Sequence, residues 1–330
     1  MILCCGEALI DMIPEPTLSG AAGFVPHPGG AVFNTAIALG RLGVAAGLLS
    51  GVSRDGFGAR LCAALAEAGV DMTHLVRSDR PSTLAFVELR DGQAEYQFFD
   101  ENSAGRMLRP GDLPAIAPAV RALFFGGISL ACEPAADSYA GLMARQAPQR
   151  VTMLDPNIRP RFIADPAAYR ARLAPLLAAA DIVKLSQEDL HWLDPGPEPA
   201  AAKAAALLKR GPVAVVLTRG GDGAEAFLRA GARLVSPARP VAVADTVGAG
   251  DTFNAGLLAE LDRAGALADK TRLAALPEAA WQGALDFAAR VAAVTVTRRG
   301  ANPPWARELA AGAAGETGAT GGTGAAAPCG

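Results

Sequence analysis

The sequence predicts an α/β fold in which a mostly parallel sheet is covered by helices on both faces. Short apolar segments alternate with helical patterns in regular order from Ala122 onward. Glycine and polar residues repeatedly follow the apolar segments, at the carboxyl edge where such sheets bind ligands. Earlier in the chain, two apolar segments follow each other without a helix between them, which indicates a small separate sheet.

The first elements are predicted from apolar residues and the residues that end them. Residues 1–10 are apolar and are expected to form the first strand, which Asp11 closes. Prolines at positions 14 and 16 exclude a helix directly afterwards. Gly29-Gly30 leads into a helix that Gly43 ends.

The remaining elements follow from the same patterns of apolar spacing. Expected strands are 46–52, 83–89, 94–99, 122–126, 151–154, 182–185 and 213–218. Expected helices are 56–68, 136–145, 167–179, 200–209, one that begins at 249 or 250, and 278–296. Asp91-Gly92 predicts a hairpin, and residues 11–24 are expected to join it in the small sheet.

Composition restricts the class of protein. With 51% hydrophobic and 19% charged residues, the 330-residue chain can bury a large core. A net charge of −3 without a long Lys/Arg cluster argues against nucleic-acid and membrane partners. The five cysteines are odd in number and lack zinc-ligand spacing, as expected in a reducing compartment. Glu7 and Asp11 interrupt any signal peptide, so a cytoplasmic protein is predicted.

The sequence DTVGAGDTFN at residues 245–254 predicts an anion site. Gly248 and Gly250 let the backbone approach a ligand, and a helix that begins here leaves its first N–H groups free. Asp251 would lie beside the bound anion, where an acid is useful if it takes a proton from a hydroxyl that attacks a phosphate. The alternative is that Asp251 only favours the helix start and the glycines only form a turn.

A second group of residues near the front suits hydroxyl recognition. Asp11, the backbone of Gly29 and Gly30, and Asn34 can donate and accept hydrogen bonds as sugar hydroxyls do. The alternative is a tight turn with Asn34 and Asp11 as caps. The chain has no GxxxxGK[ST] sequence, and no GxGxxG follows the first strand, so P-loop and dinucleotide folds are not supported.

Two motifs, GGAVFNTAIALGRLG at 29–43 and DTVGAGDTF at 245–253, resemble those of the PfkB, or ribokinase-like, carbohydrate kinases. The resemblance extends over residues 2–304 and implies a three-layer α/β/α fold with a small β-sheet lid. It places a kinase domain at 1–310, with the lid at about 12–33 and 82–104. The Gly/Ala/Thr-rich tail at 311–330 is expected to be disordered and without catalytic role.

The resemblance also implies roles for individual residues in a kinase that uses ATP and Mg²⁺. Asp251 is the implied general base, and the implied anion hole is formed by Gly248, Ala249 and Gly250. Asp11, Gly29, Gly30 and Asn34 are the implied sugar contacts. The implied ATP contacts are Lys184, Ser186, Thr218, Gly220 and Gly223. Ser186 and Asp189 replace the family's NxxE motif, which organises the magnesium water shell, and both depart from it.

Further positions follow from the same resemblance. A monovalent cation site behind the anion hole maps to Asp245, Val247, Arg298 and Gly300, whose oxygen ligands suit potassium. Ala288 occupies the expected position of an adenine-side Asn. Arg159 follows an expected strand and either clamps a phosphate or substrate oxygen or forms a surface ion pair. Dimerisation through the lid is common in the family, so a homodimer is an expected partner state.

The expected substrate is a neutral sugar, with fructose preferred. In 2-keto-3-deoxygluconate kinases an Arg is expected on the strand that leaves the lid, whereas here the segment 98–102 contains Asp100, which would repel a sugar acid. The alternatives are 2-keto-3-deoxygluconate kinase and ribokinase. A non-catalytic sugar-binding regulatory protein is the alternative from another class, and the presence of Asp251 argues against it.

Overall fold

The computed structural model describes residues 1–90 and 93–310. The strands are β1 (Ile2–Cys5), β2 (Leu9–Pro16), β3 (Ala22–Gly29), β4 (Ala46–Leu49), β5 (Gly51–Ser53), β6 (Val76–Ser78), β7 (Leu84–Arg90), β8 (Gln93–Phe99), β9 (Ala122–Gly126), β10 (Val151–Asp155), β11 (Ile182–Ser186), β12 (Ala214–Thr218), β13 (Ala224–Leu228) and β14 (Arg233–Ser236). The helices are α1 (Ala31–Arg41), α2 (Gly56–Glu67), α3 (Ala135–Gln146), α4 (Pro166–Ala179), α5 (Gln187–Leu193), α6 (Ala200–Leu208), α7 (Ala249–Arg263), α8 (Lys270–Ala274) and α9 (Glu278–Thr295).

The central sheet has eight strands in the order β14-β13-β12-β11-β10-β9-β1-β4. Pairing is parallel from β4 to β12 and antiparallel at β13 and β14. Successive side chains of each strand enter two separate cores: Cys4 faces the core with α1, α7 and α9, and Cys5 faces the core with α3 and α4. The predicted mostly parallel sheet between two helical layers is confirmed.

The first strand is shorter than predicted. β1 ends at Cys5, and Gly6-Glu7-Ala8 leads into β2, which belongs to another sheet, so the prediction of one strand over residues 1–10 is wrong. Asp11 therefore lies within β2 rather than closing a core strand. An apolar run does not reveal this change of sheet, because Leu9 and Ile10 are also buried where the two sheets meet.

The small sheet has the order β3-β2-β7-β8, with β2 and β7 parallel and the other pairs antiparallel. Its first two strands span residues 9–29 rather than 12–33, since α1 already begins at Ala31. β2 contacts β7 only from Ile10 to Met12, so Pro14 and Pro16 lie beyond that ladder. Asp91-Gly92, predicted to form the hairpin turn, and the tail 311–330 lie outside the described residues.

The antiparallel edge formed by β13 and β14 was not predicted. β14 is half exposed and lacks a strong apolar alternation, so its sequence carries a weak strand signal. Among the helices of residues 1–90 and 93–310, none has both the length and the apolar character needed to cross a bilayer.

Helices α1 and α9 pack against α7 and fix the position of its first turn. The contact between α7 and α9 is close: a Cβ on Gly256 would lie 2.7 Å from the Cα of Ala288. Ala288 is fully buried in this interface. The interpretation of Ala288 as an adenine-side position is therefore wrong, because no ligand can reach it there.

Candidate active site

A cavity of about 540 Å³ lies between the small sheet and the carboxyl edge of the central sheet. It unites residues from both predicted motifs and from the loop after β10. The lining residues are Glu7, Leu9, Asp11, Gly30, Ala31, Asn34, Phe98, Gly127, Ile128, Asn157, Arg159, Pro160, Arg161, Phe162, Thr246, Val247, Gly248, Gly250 and Asp251.

Asp251 lies in the first turn of α7 and is buried at the wall of this cavity. Its Oδ2 accepts a hydrogen bond from Nδ2 of Asn34 at 2.9 Å, and its backbone carbonyl accepts one from Thr35 at 3.2 Å. Burial raises the pKa of Asp251 to about 7, although the Asn34 hydrogen bond acts in the opposite direction. A carboxyl with such a pKa can accept a proton near neutral pH.

The turn before α7 has the geometry of an anion site. Gly248 has φ +75°, and α7 begins without a side-chain cap. The N–H of Ala249 already contacts the carbonyl of Thr246 at 3.3 Å, so of the three predicted anion-hole residues Ala249 is the least available. Gly248 and Gly250 line the cavity itself. The free N–H groups of a helix start would point towards an anion placed there.

Asp11 faces the cavity from the small sheet. Its Oδ2 would lie only 2.1 Å from a Cβ on Gly29, so position 29 can hold no side chain while Asp11 keeps this orientation. Gly29 does not line the cavity but makes room for Asp11. Burial raises the pKa of Asp11 to about 6. Gly30, with φ +107°, and Asn34 complete the predicted sugar-side group within the cavity.

Glu7 lines the same cavity and was missed by the sequence analysis as a site residue. It is buried between β1 and β2, where it accepts N–H groups of Ala31 at 3.0 Å and Ser129 at 3.3 Å. Burial raises its pKa, although these hydrogen bonds oppose the shift. The available signal was an acid directly after an apolar strand, which is the same signal that singled out Asp11.

A buried polar cluster lies behind the anion site. Asp155 Oδ2 accepts hydrogen bonds from Lys184 at 3.0 Å and from Asn254 at 2.7 Å. Burial alone would lower the pKa of Lys184, but the charges of Asp155 and Asp189 outweigh burial and raise it. The Lys184 Nζ would lie 3.4 Å from a Cβ on Gly250, so this predicted ATP contact lies directly behind the anion hole.

None of the predicted ATP-side residues lines the cavity. Ser186 and Thr218 are paired neighbours at the carboxyl ends of β11 and β12. Gly220 and Gly223 follow in the next turn, both with positive φ. A Cβ on Gly223 would lie 2.2 Å from the carbonyl oxygen of Ser236, so the turn itself requires glycine there.

Asp189 is held by backbone groups. Its Oδ1 accepts the N–H of Ile158 at 2.7 Å and its Oδ2 that of Ser186 at 2.9 Å, while Ser186 Oγ accepts the N–H of Asp189 at 3.0 Å. These bonds form a capping box at the start of α5. Among residues 1–90 and 93–310, no group of three or more His, Cys, Asp or Glu side chains is placed to hold a metal ion directly.

The carboxylate of Asp245 lies at the centre of the predicted cation residues. Asp245 accepts the N–H of Val247 at 3.0 Å and that of Gly300 at 2.8 Å, so its carboxylate joins the turn before α7 to the segment after α9. The side chain of Arg298 pairs with Glu308 at 2.7 Å, and a cation contact through the backbone carbonyl of Arg298 stays a prediction.

The position of Asp100 does not support the prediction of a neutral sugar. It is buried, pairs with Arg106 at 2.9 Å and does not line the cavity. It therefore presents no carboxylate to a substrate. Arg159 and Arg161 do line the cavity together with the acids Glu7, Asp11 and Asp251, so the lining carries groups of both signs.

Comparison with known proteins identifies the family to which the chain belongs. Residues 1–307 match the family model described as pfkB family carbohydrate kinase. The chain belongs to the pfkB family of carbohydrate kinases. It is 48% identical over 262 residues to the fructokinase of Rhizobium leguminosarum bv. trifolii, a match that covers 79% of each chain. The resemblance predicted from the two motifs is confirmed.

Solved structures of the family have the same fold. A fructokinase from Xylella fastidiosa with bound ATP is 30% identical, with a TM-score of 0.85, and the match covers 96% of this chain and 98% of the other. A fructokinase variant from Vibrio cholerae O395, bound to fructose, ADP and a potassium ion, is 26% identical, with a TM-score of 0.81 and coverage of 94% and 97%. The ribokinase-like fold and an ATP-dependent sugar kinase activity are thereby confirmed.

Proposed function

We propose that this kinase is a fructokinase in which Asp251 is the general base. The observation that supports the role is the position of its buried carboxyl, which lies at the start of α7 in the same cavity as Asp11 and Asn34. The role is supported because this carboxyl lies between a helix start suited to a phosphate and side chains suited to sugar hydroxyls.

The proposed reaction is an in-line transfer. Asp251 accepts the proton of a sugar hydroxyl, and the resulting alkoxide attacks the γ-phosphorus of ATP. The N–H groups at the start of α7, chiefly in the Gly248–Gly250 turn, stabilise the negative charge that grows on the transferring group. Lys184, directly behind Gly250 and paired with Asp155, is a further candidate to contact the phosphates.

Mg²⁺ is the divalent ion that we propose accompanies ATP. Mg²⁺ usually retains several waters and is bound through few carboxylates and the substrate phosphates, so a dedicated protein cage is not required. Asp189 and Ser186 are candidates to orient those waters. Potassium is the proposed monovalent ion beside Asp245, Val247 and Gly300, with the backbone of Arg298 as a further candidate.

The small sheet is proposed to act as the lid of the cavity. Phe98 of β8 contacts Phe162 after β10 with ring centroids 4.0 Å apart, so an aromatic pair joins the small sheet to the core at the cavity wall. A closed lid would exclude water, which competes with the sugar as an acceptor of the phosphoryl group.

Fructose is supported by the relatives, including fructokinases of Rhizobium leguminosarum bv. trifolii and Klebsiella pneumoniae. The hydroxyl-binding side chains of Asp11 and Asn34 suit a neutral sugar. A specific observation favours 2-keto-3-deoxygluconate as the second candidate, because Arg159 and Arg161 line the cavity and a guanidinium can bind a carboxylate.

A phosphoryl-transfer assay with ATP tests the proposal. The substrates are fructose, 2-keto-3-deoxygluconate, ribose and adenosine at matched concentrations. We expect the highest kcat/KM for fructose. A higher kcat/KM for the keto acid would assign Arg159 and Arg161 to carboxylate binding and reject the fructokinase proposal, and turnover of none of the four would leave fructose without support as the substrate.

We further propose a cytoplasmic homodimer that forms through the small sheet. Phe24, Phe86 and Phe99 form an aromatic row on one face of that sheet, with neighbouring ring centroids 5.0 and 5.4 Å apart. The strand register places this row on the face opposite to Asp11 and Phe98. Phe24 and Phe99 are 44% and 48% exposed, so the face offers apolar area that a second copy would bury.

A further inference from the structure

The connection from the central sheet to the small sheet is only three residues long. β1 ends at Cys5 and β2 begins at Leu9, so Gly6, Glu7 and Ala8 carry the whole change of sheet. Asp11, the sugar-side carboxylate, follows two residues after Leu9. Any change in the path of this connection therefore moves Asp11 relative to the core.

The first two residues of the connection are fixed to the core through backbone groups. The N–H of Gly6 donates to the carbonyl of Leu49 at 3.1 Å, and the Gly6 carbonyl accepts the hydroxyl of Tyr139 at 3.1 Å. The Glu7 carbonyl accepts the N–H of Phe33 in α1 at 3.2 Å. The backbone is thus held by three separate core elements up to Glu7, and the first bonds to the small sheet come afterwards.

The Glu7 side chain adds a second attachment. Oε1 accepts the N–H of Ala31, the first residue of α1, and Oε2 accepts the N–H of Ser129 after β9. Ala31 lies three residues before Asn34, which contacts Asp251. The same carboxylate therefore joins the start of the small sheet to α1, the helix that carries Asn34.

Two neighbouring glycines leave room for this carboxylate and its backbone. Gly127 has φ +70°, and a Cβ there would lie 2.0 Å from Oε1 of Glu7. Gly30 has φ +107°, and a Cβ there would lie 3.0 Å from the carbonyl oxygen of Glu7. Positions 127 and 30 therefore require glycine while Glu7 keeps this orientation.

We propose that Glu7 is a positioning residue for the sugar: it fixes the point from which the small sheet extends and so sets the separation of Asp11 from Asn34. The inference rests on the proposed function, in which these two side chains bind the sugar. Glu7 acts through Ala31 and the β1–β2 connection. The ATP side, formed by Ser186, Thr218 and the turn at 220–223, has no contact with it and should be unaffected.

Glu7→Gln tests the proposal because it keeps the side-chain length and one acceptor but turns an amide NH₂ towards the other backbone N–H. One buried donor is then unpaired. We expect the KM for the sugar to rise about tenfold, because the unpaired donor loosens the attachment that sets the separation of Asp11 from Asn34. The KM for ATP should stay within about twofold of the unmodified enzyme, because nothing on its side changes.

Asp181→Asn is the matched control. Asp181 is as buried as Glu7 and also accepts a backbone N–H, that of Thr152 at 2.9 Å, besides its ion pair with Lys270 at 2.6 Å. It precedes β11 and so lies at the amino edge of the central sheet, away from the cavity. We expect this variant to lose thermal stability with both KM values unchanged. An equal rise of the sugar and ATP KM values in Glu7→Gln, or no rise in either, would reject the positioning role.

Two measurements decide the matter even if Glu7→Gln does not fold. Gly127→Ala retains Glu7 in the sequence but adds a Cβ that displaces its carboxylate. This variant should show the same rise in the KM for the sugar, with the KM for ATP unchanged. In the unmodified enzyme, the amides of Ala31 and Ser129 should be protected from hydrogen exchange with and without sugar. Sugar binding should add protection only at residues that follow Glu7 in the chain. Rapid exchange at Ala31 without sugar would reject the attachment.

The sugar in these assays is the one that the unmodified enzyme phosphorylates best. If it phosphorylates none of the tested sugars, the proposed function fails. If it is active and Glu7→Gln keeps the sugar KM, only the role of Glu7 fails.

Discussion

At the scale of single residues, the cavity concentrates carboxyl groups whose pKa values are raised. Burial raises the pKa of Asp251 to about 7 and that of Asp11 to about 6, and it raises the pKa of Glu7 as well. A raised pKa makes a carboxylate a stronger base, which suits the role proposed for Asp251. It also makes the charged form costly in the folded state, so the site is expected to reduce stability near neutral pH.

Asp251→Asn should lose turnover while sugar binding remains. The amide keeps the side-chain shape but cannot accept the hydroxyl proton, and loss of a general base costs roughly 10²–10⁴-fold in rate. Steady-state kcat and the sugar Kd from calorimetry are the measurements. Asp262→Asn, at the far end of α7 and paired with Arg121 on the surface, is the control and should keep both values. Undiminished kcat in Asp251→Asn would exclude Asp251 as the base.

The same variant should change the pH dependence of stability. The pKa of Asp251 is raised from 3.8 to about 7, so the folded state binds the proton more tightly than the unfolded state. Stability therefore falls as pH rises from about 4 to 7, by roughly 1.4 kcal/mol for each unit of pKa difference. We expect Asp251→Asn to raise Tm at pH 8, with the gain shrinking towards pH 4. A lower Tm than the unmodified enzyme at pH 8 would contradict this.

At the scale of elements, α7 holds the proposed base and the proposed anion site in its first turn. Its first turn supplies Asp251 and free N–H groups, and its later residues are held between α1 and α9. Gly256 allows α9 to approach closely, and Gly248 allows the segment at Ala301 to pass beneath the turn. The anion site is thus a consequence of helix packing as well as of the local glycine-rich sequence.

Gly248→Ala should disrupt this turn. An added Cβ would lie 2.7 Å from the Cβ of Ala301, at a position with φ +75°. A left-handed conformation alone costs a non-glycine residue about 1–2 kcal/mol, so we expect lower stability and a loss of kcat. Denaturant unfolding and steady-state kinetics measure the two effects.

Gly283→Ala is the control for that substitution. Gly283 is exposed within α9, and a Cβ there meets no atom within 4 Å. Alanine in a helix interior is favoured over glycine by about 0.8–1.0 kcal/mol, so this variant should gain stability and keep kcat. If both glycine variants lose kcat equally, the effect of Gly248→Ala is not specific to the anion site.

At the scale of the whole molecule, the two faces of the small sheet carry different side chains. Asp11 and Phe98 face the cavity, whereas the aromatic row of Phe24, Phe86 and Phe99 lies on the opposite face. If the row is a dimer interface, it also holds the lid strands in register. Dimerisation and sugar binding would then depend on the same four strands.

The double variant Phe24→Lys/Phe99→Lys should weaken the proposed dimer, because two charges on each copy would be brought into an apolar contact. Sedimentation equilibrium of the unmodified enzyme and the variant gives the measurement. Val243→Lys, which replaces an apolar side chain that is 62% exposed outside the small sheet, is the control. An unmodified enzyme that sediments as a monomer would reject the dimer.

Much of the fold follows from local spacing in the sequence. Strands such as β9, β11 and β12, and the start of α7 at Ala249, were predicted within one residue because their apolar periods and glycine stops are local signals. The two motifs also identified the family and eight of the nineteen residues that line the cavity. Edge strand β14 and the break between β1 and β2 were not found, since they depend on which strand becomes the neighbour.

By itself, then, the sequence determined the α/β class, the kinase family and the acid at the helix start, all of which depend on residue types at short spacing. Only the tertiary structure decided what each polar group faces. It turned Asp100 towards Arg106 and away from the cavity, and it placed Ala288 between two helices. It also brought Glu7 to Ala31 and Ser129. These outcomes depend on contacts between residues far apart in the chain, which no local pattern specifies.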